Sequence, residues 1–412
     1  MEIPDVPKPL LEALTKAAAD KRCALVGGVM RDLLLHRHHE DPWRGLPDLD
    51  LVVEGRAADL VQRLPEALDR EFGCSIPLSV QEHGAFGTFE LELDLPAECG
   101  GTWLLDVASA RQETYPLPAE NPIVSLGSLR DDLARRDFTV NAMALELSTG
   151  ELLDLHQGQR DLAARRLNLL HSQSLRDDPT RLVRGARYAA RLGFHFSEQA
   201  QQQVVTTLNQ WPWGWRPGDD PCQAPPALGT RLRMELELLF KREPWREALQ
   251  VLQQSGGLAL LDRQLQQDSS WRRRLHWAQR LGVPLLPALV AAAGDPLEVV
   301  ERLQLPHRQH KLLVQLLALQ SRLNAALDQP QPPSWWAEFL ESPGVSPEAV
   351  ALQISLGGLH WRPLLRWWGR WRHVRSPIPA QALIQEEGLR PGPALGQRLK
   401  ALRFEALDQL LW

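Results

Sequence analysis

The stretch that decides the fold has two parts, ALVGGVMRDLLL at residues 24–35 and DLDLVVEG at residues 48–55. In the first part, a short apolar run ends at a glycine pair, which predicts a strand, a tight turn and then a helix. Glycines at a helix start let backbone N–H groups approach an anion closely, and that end of a helix is electropositive. The turn at Gly27 and Gly28, followed by Arg31, is therefore a candidate binding site for a triphosphate.

The second part predicts another strand, with two carboxylates at its start. Asp48 and Asp50 are two residues apart, so their side chains point to the same side of the strand. Neighbouring carboxylates repel each other unless a cation lies between them, and Mg²⁺ binds through one or two carboxylates together with substrate phosphates. A lone glycine pair is usually a simple turn, and a lone Asp-x-Asp is usually a solvated strand end. Both motifs in this order are far more specific, and they indicate a phosphate site beside a metal site.

The composition indicates a protein of several domains. The chain has 412 residues, of which 44% are hydrophobic, so we expect two to four domains with substantial cores. It contains no long apolar run and no signal-peptide layout at its N-terminus, which predicts a soluble cytoplasmic protein that makes no membrane contact. The four cysteines are scattered without a CxxC motif, which argues against a zinc site and a disulfide scaffold.

The net charge of −5 does not by itself indicate a nucleic-acid partner, but arginines concentrate in two stretches, residues 160–191 and 361–375. The second stretch interleaves arginine and tryptophan, which suits phosphate contact with base stacking. The alternative, which fits the aromatic residues slightly better, is an amphipathic helix whose tryptophans belong to the core.

Hydrophobic patterning predicts further elements in the first part of the chain. The expected elements are a lead helix at 7–20, a polar loop at 36–46, a helix at 57–72, and strands at 86–93 and 103–107.

The first motif resembles a known family. VGGVMRD at residues 26–32, followed by DLDLVVEG, resembles the head of the class II nucleotidyltransferases, which comprise the CCA-adding tRNA nucleotidyltransferases and bacterial poly(A) polymerases. The family pattern is GGxVRD followed by DxD. This chain has Met30 where the family prefers valine, a difference that alters packing more than chemistry.

A third carboxylate follows from the same resemblance. The family carries it in a stretch like DvasARxExY, and DVASARQETY, which begins at Asp106, is closely similar. The resemblance implies that Asp106 lies beside Asp48 and Asp50. The alternatives are an edge-strand carboxylate or an ion-pair partner for Arg111.

The most specific match is DDLARRDFTVNAMAL at residues 131–145, which is similar to the family's DLxRRDFTxNA. The resemblance implies that Arg136 and Asp137 lie near the ribose of the incoming nucleotide. A fork of donors beside a carboxylate acceptor is what reading sugar hydroxyls requires. For the pair alone, an exposed ion pair at a helix start is the alternative.

A further motif, RDDPTRLVRGARYAARLGF at residues 176–194, resembles the family form EDxxRxxRxxRF, with Asp177 in place of glutamate. The matching positions, which lie three apart on adjoining parts of one helical face, are Asp178, Arg181, Arg184 and Arg187. Cytosine and adenine each present an amine donor beside a ring-nitrogen acceptor, which an aspartate beside an arginine can match. Guanine and uracil present the reverse pattern and would leave buried polar groups unpaired.

The resemblance therefore implies that Asp178 and Arg181 select the base. Arg184 and Arg187 are then placed to hold phosphates. The alternative for this motif is an arginine-rich helix face stabilised by ion pairs between successive turns.

Three weaker features complete the comparison of motifs. Residues 115–129 predict a loop, at the place where the family has a flexible loop that helps to switch from C to A addition. The segment at 152–162 resembles the family's connecting motif, in which Asp154 and Asp161 are expected to cap helices and to make hinge contacts. Residues 383–402 resemble the family tail and predict a helix-turn-helix.

A His-Asp doublet is absent from the sequence, which predicts that the hydrolase domain of some relatives is missing.

The resemblance implies an α+β fold, with a palm-like nucleotidyltransferase α/β head followed by an all-α neck, body and tail. The expected boundaries are 1–150 for the catalytic head, 151–205 for the neck with the nucleotide-selecting helix, 206–330 for the body, and 331–412 for a tail that contacts tRNA.

The implied function is template-independent addition of CCA, or part of it, to the 3′ end of tRNA from CTP and ATP. Asp48, Asp50 and Asp106 are the implied catalytic residues, and two Mg²⁺ ions are expected at Asp48 and Asp50. The same motifs fit an A-adding or CC-adding half enzyme and a poly(A) polymerase. An RNA-binding protein that has lost catalysis is the rival from a different class. The sequence makes no prediction of oligomeric state.

Overall fold

The computed structural model describes residues 3–43, 45, 48–83, 87–326, 330–358 and 360–410. The chain divides into two compact units. The first comprises Met1–Gly214, Pro225–Ala227 and Arg242–Gly256, and the second comprises Trp215–Ala224, Leu228–Lys241 and Gly257–Trp412.

The strands of the described residues all lie in the first unit. They are β1 (Cys23–Val26), β2 (Leu49–Val53), β3 (Leu78–His83), β4 (Thr88–Asp94), β5 (Thr102–Ser109), β6 (Arg111–Thr114), β7 (Ile123–Leu126), β8 (Ala144–Glu146), β9 (Leu152–Leu153), β10 (Arg166–Leu167) and β11 (His195–Phe196).

Helices occur throughout the described chain. In the first half they are α1 (Lys8–Ala18), α2 (Gly28–His39), α3 (Ala57–Phe72), α4 (Leu129–Ala134), α5 (Gly158–Ala163), α6 (Ser174–Asp177), α7 (Thr180–Leu192), α8 (Glu198–Gln210), α9 (Thr230–Arg242) and α10 (Trp245–Gln254). In the second half they are α11 (Arg263–Gln267), α12 (Trp271–Arg280), α13 (Leu285–Val290), α14 (Pro296–Arg302), α15 (His307–Ala326), α16 (Pro333–Leu340), α17 (Pro347–Leu356), α18 (Trp361–Gly369), α19 (Ala380–Glu386) and α20 (Pro393–Asp408).

Seven strands form one mixed sheet in the order β3-β4-β5-β2-β1-β8-β9. In β1, Leu25 packs into the larger core, which is built with residues of α1, α2 and α3, while Ala24 and Val26 pack on the other side with Leu129 and Leu133 of α4. Because both faces of this strand are buried, its sequence is a continuous apolar run rather than an alternating one. The central strands are therefore fixed from both sides, which gives the residues at their ends defined positions.

Several predicted elements are confirmed. The helix predicted at 57–72 is α3, the strand at 103–107 lies within β5, and the lead helix is α1. The strand predicted at 86–93 is β4, and Phe86 at its predicted start lies outside the described residues.

Other predictions need correction. The polar loop predicted at 36–46 begins later, because α2 continues to His39, where basic side chains suit the negative end of a helix. The loop predicted at 115–129 contains β7, which pairs with β6 as a hairpin, and the first residue of α4. The neck is not wholly helical, since β10 and β11 pair there. Edge strand β3 was missed because its residues are largely exposed and lack an apolar face.

The predicted selecting helix is α7, and the short helix α6 precedes it. Asp178 and Pro179 lie between the two helices. Proline cannot donate a backbone hydrogen bond, so it ends one helix and stands before the first turn of the next. Asp178 is consequently the residue at the joint rather than a member of the helix.

The second unit is built from helices. Trp336, Trp367 and Trp371 are buried in one core cluster, so the packing alternative holds for two tryptophans of the stretch at 361–375. Helices α19 and α20 form the predicted helix-turn-helix, with Gly388 and Gly392 at positive φ between them. Among the described residues, no helix combines the length and apolar character needed to cross a membrane.

A buried arginine organises the body of the second unit. The guanidinium of Arg302 donates to the carbonyl oxygens of Leu228 (2.8 Å), Leu260 (3.2 Å) and Leu261 (2.5 Å). It also pairs with Glu298 at 2.9 Å and lies 4.7 Å from the centre of the Trp215 ring. One side chain thus satisfies backbone groups from two separate connections, which makes it a structural centre.

Candidate active site

The three predicted carboxylates lie together at one end of the central strands. Strand β2 runs parallel to β5, with Asp50 opposite Asp106, and Asp48 immediately precedes β2. Burial raises the pKa of Asp50 to about 6, and the charge of Asp48 adds to the rise while Arg136 opposes it. Burial and the charge of Asp48 also raise the pKa of Asp106. The carboxylates are therefore close enough to destabilise one another when ionised.

This donor set suits a hard divalent cation that also binds the substrate. Within the described ranges, no group of three or more His, Cys, Asp or Glu side chains is arranged to hold a metal ion by itself. Magnesium usually takes only one or two carboxylates and completes its octahedron with water and substrate phosphates. The mutual repulsion around Asp50 is the feature that such a cation would relieve.

The glycine turn lies directly against this cluster. Gly27 follows β1 with φ +73° and ψ −137°, a conformation that side chains disfavour. A Cβ at this position would lie 3.1 Å from Oδ2 of Asp50 and 3.3 Å from Nη1 of Arg136. Glycine is therefore required both for the turn and for the approach of the carboxylate and the guanidinium to the start of α2.

Arg31, in the first turn of α2, is buried and tightly bound. It donates to both carboxylate oxygens of Asp32 (2.8 and 3.0 Å) and to Oδ1 of Asn141 (2.9 Å). Burial works against its charge, but the carboxylate of Asp32 outweighs burial and raises the pKa of Arg31. The structure thus keeps a fixed positive charge just behind the glycine turn.

Arg136 is held beside Asp50 by a residue to which the sequence analysis gave no role. Asp132 is fully buried and accepts hydrogen bonds from Arg135 (2.7 Å) and Arg136 (2.9 Å). Burial favours the neutral acid, but the two guanidinium charges outweigh it and lower the pKa of Asp132. The spacing of three and four residues from Asp132 to these arginines is a helical ion-pair pattern and could have indicated this contact.

Asp137 joins the head to α7. Its carboxylate accepts hydrogen bonds from the backbone N–H of Phe138 (2.8 Å), Nδ2 of Asn141 (2.9 Å) and Nε of Arg184 (2.8 Å). Although burial opposes the charge, Arg184 and Asn141 lower the pKa of Asp137 to about 2. These protein donors occupy both oxygens, and a contact with the ribose stays a prediction.

The start of α7 carries the two residues expected to select the base. Oδ1 of Asp178 accepts from the backbone N–H and hydroxyl of Thr180 (3.0 and 2.6 Å). One turn later, Arg181 is only 4% exposed, and its Nη2 donates to the carbonyl oxygen of Arg135 (2.9 Å). Its Nη1 is buried and has no hydrogen-bond partner among the described residues. The contact with Arg135 connects this turn to the segment that holds Arg136 beside Asp50.

The later arginines of α7 make ion pairs within the first unit. Arg184 pairs with Asp137, and Arg187 donates through Nε to Oε1 of buried Glu243 at 3.2 Å. A separation of 56 residues hid the contact with Glu243 from sequence reasoning. The predicted phosphate contacts of Arg184 and Arg187 remain untested, and their ion pairs favour a role in fixing the helix.

The hairpin before α4 also contributes a residue that the sequence analysis missed. The carboxylate of Glu113 accepts hydrogen bonds from Arg111 (3.1 Å), Arg135 (3.0 Å) and the hydroxyl of Tyr115 (3.0 Å). Beyond it, the backbone N–H of Ala119 contacts the carbonyl oxygens of Arg176 and Asp177, each at 3.2 Å. The connection between β6 and β7 therefore rests on the end of α6, directly before Asp178.

The chain is similar in sequence to known proteins. The family model described as the poly A polymerase head domain matches residues 23–168. The chain is 36% identical over 317 residues to the CC-adding tRNA nucleotidyltransferase of Deinococcus radiodurans, a match that covers 74% of this chain and 72% of that protein. It is 37% identical over 211 residues to the A-adding tRNA nucleotidyltransferase of Halalkalibacterium halodurans, covering 48% of this chain and 43% of that protein.

The fold has the same relatives. A solved structure described as the apo form II of a CCA-adding enzyme superimposes with a TM-score of 0.70 at 24% identity, covering 98% of this chain and 93% of that one. The chain spans less than half the length of the A-adding relative but more than two thirds of the CC-adding one. The head-domain match and the alignment with the CC-adding relative, which covers 74% of this chain and 72% of that protein, together identify the family. The chain therefore belongs to the family of class II CCA-adding tRNA nucleotidyltransferases and poly(A) polymerases.

Proposed function

We propose that this protein transfers nucleotides from CTP or ATP to the 3′-hydroxyl of tRNA and releases pyrophosphate, without a nucleic-acid template. The observation that carries this proposal is the buried, unpartnered Nη1 of Arg181 among the described residues, one turn from Asp178. A buried guanidinium nitrogen without an acceptor costs about 1–3 kcal/mol, and a ligand that supplies the acceptor recovers that cost. The ring nitrogen of cytosine or adenine is such an acceptor.

Asp178 supplies the other half of the proposed base contact. Its carboxylate accepts from the exocyclic amine while Arg181 donates to the ring nitrogen. Guanine and uracil would place a carbonyl oxygen against the Asp178 carboxylate and a ring N–H against the Arg181 guanidinium. A polar site of this kind discriminates strongly because the mismatched groups stay unpaired.

The glycine turn and two arginines are proposed to bind the triphosphate. Backbone N–H groups at Gly27 and Gly28 face the anion, Arg31 supplies a fixed charge behind them, and Arg136 lies beside Asp50. Charge-assisted contacts of this kind fix the α-phosphorus relative to the attacking hydroxyl.

Asp48 and Asp50, with Asp106 next to them, are the residues that would hold magnesium, and we propose two ions. Bound magnesium would lower the pKa of the attacking 3′-hydroxyl and neutralise charge on the phosphates. The carboxylates themselves contribute the negative charge that concentrates the cation next to the triphosphate. For a tRNA-modifying enzyme of this type we also propose a cytoplasmic location.

The product is the part of the proposal that needs measurement first. The more extensively matched relative is named as CC-adding and the other as A-adding, so both half reactions are candidates beside full CCA addition. Purified protein would be incubated with tRNA that lacks its end, or carries C or CC, with CTP and ATP singly and together. Product lengths and sequences distinguish CCA, CC, a single A and a long tail.

The same assay tests the site. Asp48→Ala should abolish incorporation while tRNA binding, measured by gel shift, is retained. Asp20→Asn, which changes an exposed carboxylate outside the site, is the matched control and should behave as the wild type. Near-normal turnover by Asp48→Ala would refute the metal assignment, and lack of pyrophosphate release by the wild type would favour an RNA-binding protein without catalysis.

A further inference from the structure

Tyr188 lies where three guanidinium groups converge. Its ring centre is 5.6 Å from Cζ of Arg31, 5.7 Å from that of Arg184 and 5.3 Å from that of Arg191. The side chain is buried, and Phe138 packs edge-on against it at 5.9 Å. A cation near an aromatic ring is attracted by its quadrupole, and the attraction grows when both groups are removed from water. One ring therefore stabilises positive charges that come from two different parts of the site.

Hydrogen bonds complete a closed path through the same residues. Arg31 donates to Asn141 (2.9 Å), Asn141 donates to Asp137 (2.9 Å), and Arg184 donates to Asp137 (2.8 Å). Arg184 then donates through Nη2 to the hydroxyl of Tyr188 at 2.9 Å, and the ring of Tyr188 returns the path to Arg31. The start of α2 and the middle of α7 are thus joined by contacts on two sides.

The charges around the ring make its position consequential. The three guanidinium groups repel one another, and each forms an ion pair with a different carboxylate. The pairs are Arg31 with Asp32, Arg184 with Asp137, and Arg191 with Glu243. The aromatic ring is the neighbour that all three guanidinium groups share. Removing it would take away this common attraction and leave space into which Arg31 and Arg184 can turn.

From this geometry we propose that Tyr188 is a positioning residue that couples triphosphate binding at the start of α2 to base selection at the start of α7. The inference rests on the proposed function. The ring holds Arg31 behind the glycine turn, and the hydroxyl holds Arg184 so that α7 keeps Asp178 and Arg181 in place. The two contributions are separable, because phenylalanine, which ends the family form of this motif, retains the ring and lacks the hydroxyl.

Two variants separate these contributions. Tyr188→Leu removes both the ring and the hydroxyl, and Tyr188→Phe removes the hydroxyl alone. Phe196→Leu is the matched control, because Phe196 is a buried aromatic residue that packs on Phe138 at 6.2 Å and, among the described residues, lies over no guanidinium group. Full-length protein would be assayed with tRNA lacking its 3′ end and with CTP, ATP and UTP separately, and Tm would be recorded for each variant.

For Tyr188→Leu we expect the KM for CTP or ATP to rise about tenfold and the preference for these nucleotides over UTP to fall about tenfold, while kcat changes less. The reason is that the loss of a buried cation–π contact changes an equilibrium constant by about tenfold. Tyr188→Phe should keep the KM within about threefold of wild type and lose part of the preference. Phe196→Leu should lower Tm comparably and leave both quantities near wild type.

A second measurement is available if Tyr188→Leu fails to fold. Because the hydroxyl acts through Arg184, Tyr188→Phe should add little to the loss of base preference in an Arg184→Lys background, whereas additive losses would overturn the role of the hydroxyl. If Tyr188→Leu had the same KM and the same nucleotide preference as Phe196→Leu, the proposed role of the ring would be overturned. Absence of incorporation by the wild type would instead refute the proposed function itself.

Discussion

Gly27→Ala is the substitution that most directly tests the geometry of the site. The backbone at Gly27 has φ +73° and ψ −137°, a region in which a side chain costs on the order of 1–3 kcal/mol. The added Cβ would also lie 3.1 Å from Oδ2 of Asp50 and 3.3 Å from Nη1 of Arg136, so at least one of these groups must move by a few tenths of an ångström. The change therefore perturbs stability and the position of two proposed site residues together.

A matched glycine separates these effects. Gly73, which follows α3, has φ +67°, and a Cβ added there meets no atom of the described residues within 4 Å. Gly73→Ala should therefore lose only the stability that positive φ costs, about 1 kcal/mol.

In the nucleotide-incorporation assay we expect Gly27→Ala to lower kcat about tenfold to a hundredfold, since misplacement of reacting groups by an ångström can cost two orders of magnitude. Gly73→Ala should remain within about twofold of wild type. Both proteins would be compared at a temperature where each is folded, with unfolding followed in urea. If Gly27→Ala were as active as Gly73→Ala, the turn would not lie against the proposed catalytic carboxylates, and the site as described would be refuted.

Three further predictions concern buried charges. Because the pKa of Asp50 is raised to about 6, its ionised form destabilises the metal-free protein as pH rises through that value. Asp50→Asn should therefore raise Tm at about pH 8 and not at about pH 4, and an equal shift in Tm at both pH values would contradict this. The pKa of Asp137 is lowered to about 2, so its ion pair stabilises the fold fully at pH values above the unfolded pKa of about 4. Asp137→Asn should therefore have a lower free energy of unfolding in urea than the wild type at neutral pH, and this difference should vanish as pH falls towards about 2. Arg302→Met leaves Glu298 and three buried carbonyl oxygens without their donor, which should cost about 3–5 kcal/mol in urea unfolding and leave nucleotide preference unchanged; a loss below about 1 kcal/mol would contradict its structural role.

The local parts of the site could be predicted because their chemistry is written in short stretches. The glycine pair, the alternating aspartates and the apolar run before them lie within about thirty residues, and periodicity alone gave the bounds of α3. Pro179 also indicated where α7 begins, because proline suits the start of a helix, and the spacing of three residues placed Asp178, Arg181 and Arg184 on one helical face. The spacing did not reveal the short helix α6, which ends directly before Asp178.

The long-range parts could not be predicted from one sequence. Glu113 pairs with Arg135 across 22 residues, and Glu243 pairs with Arg187 across 56, and no periodicity relates such positions. Strand β3 escaped because it lies at the edge of the sheet, where exposed side chains remove the alternation that marks a strand. In each case the partner, rather than the segment itself, determines the structure.

Two features of the first unit are unfavourable when taken alone. Asp50 is ionisable in a position where burial and the charges of Asp48 and Asp106 oppose its ionised form, and Arg181 has a buried nitrogen without a partner in the described part of the chain. Folded proteins retain such costs mainly at functional sites, where a ligand removes them. A nucleoside triphosphate bound with a divalent cation would remove both, because the cation offsets the repulsion at Asp50 and the base supplies an acceptor for Arg181. The contact of Arg181 with Arg135, next to Arg136 beside Asp50, means that one ligand at this place can serve both ends of the site.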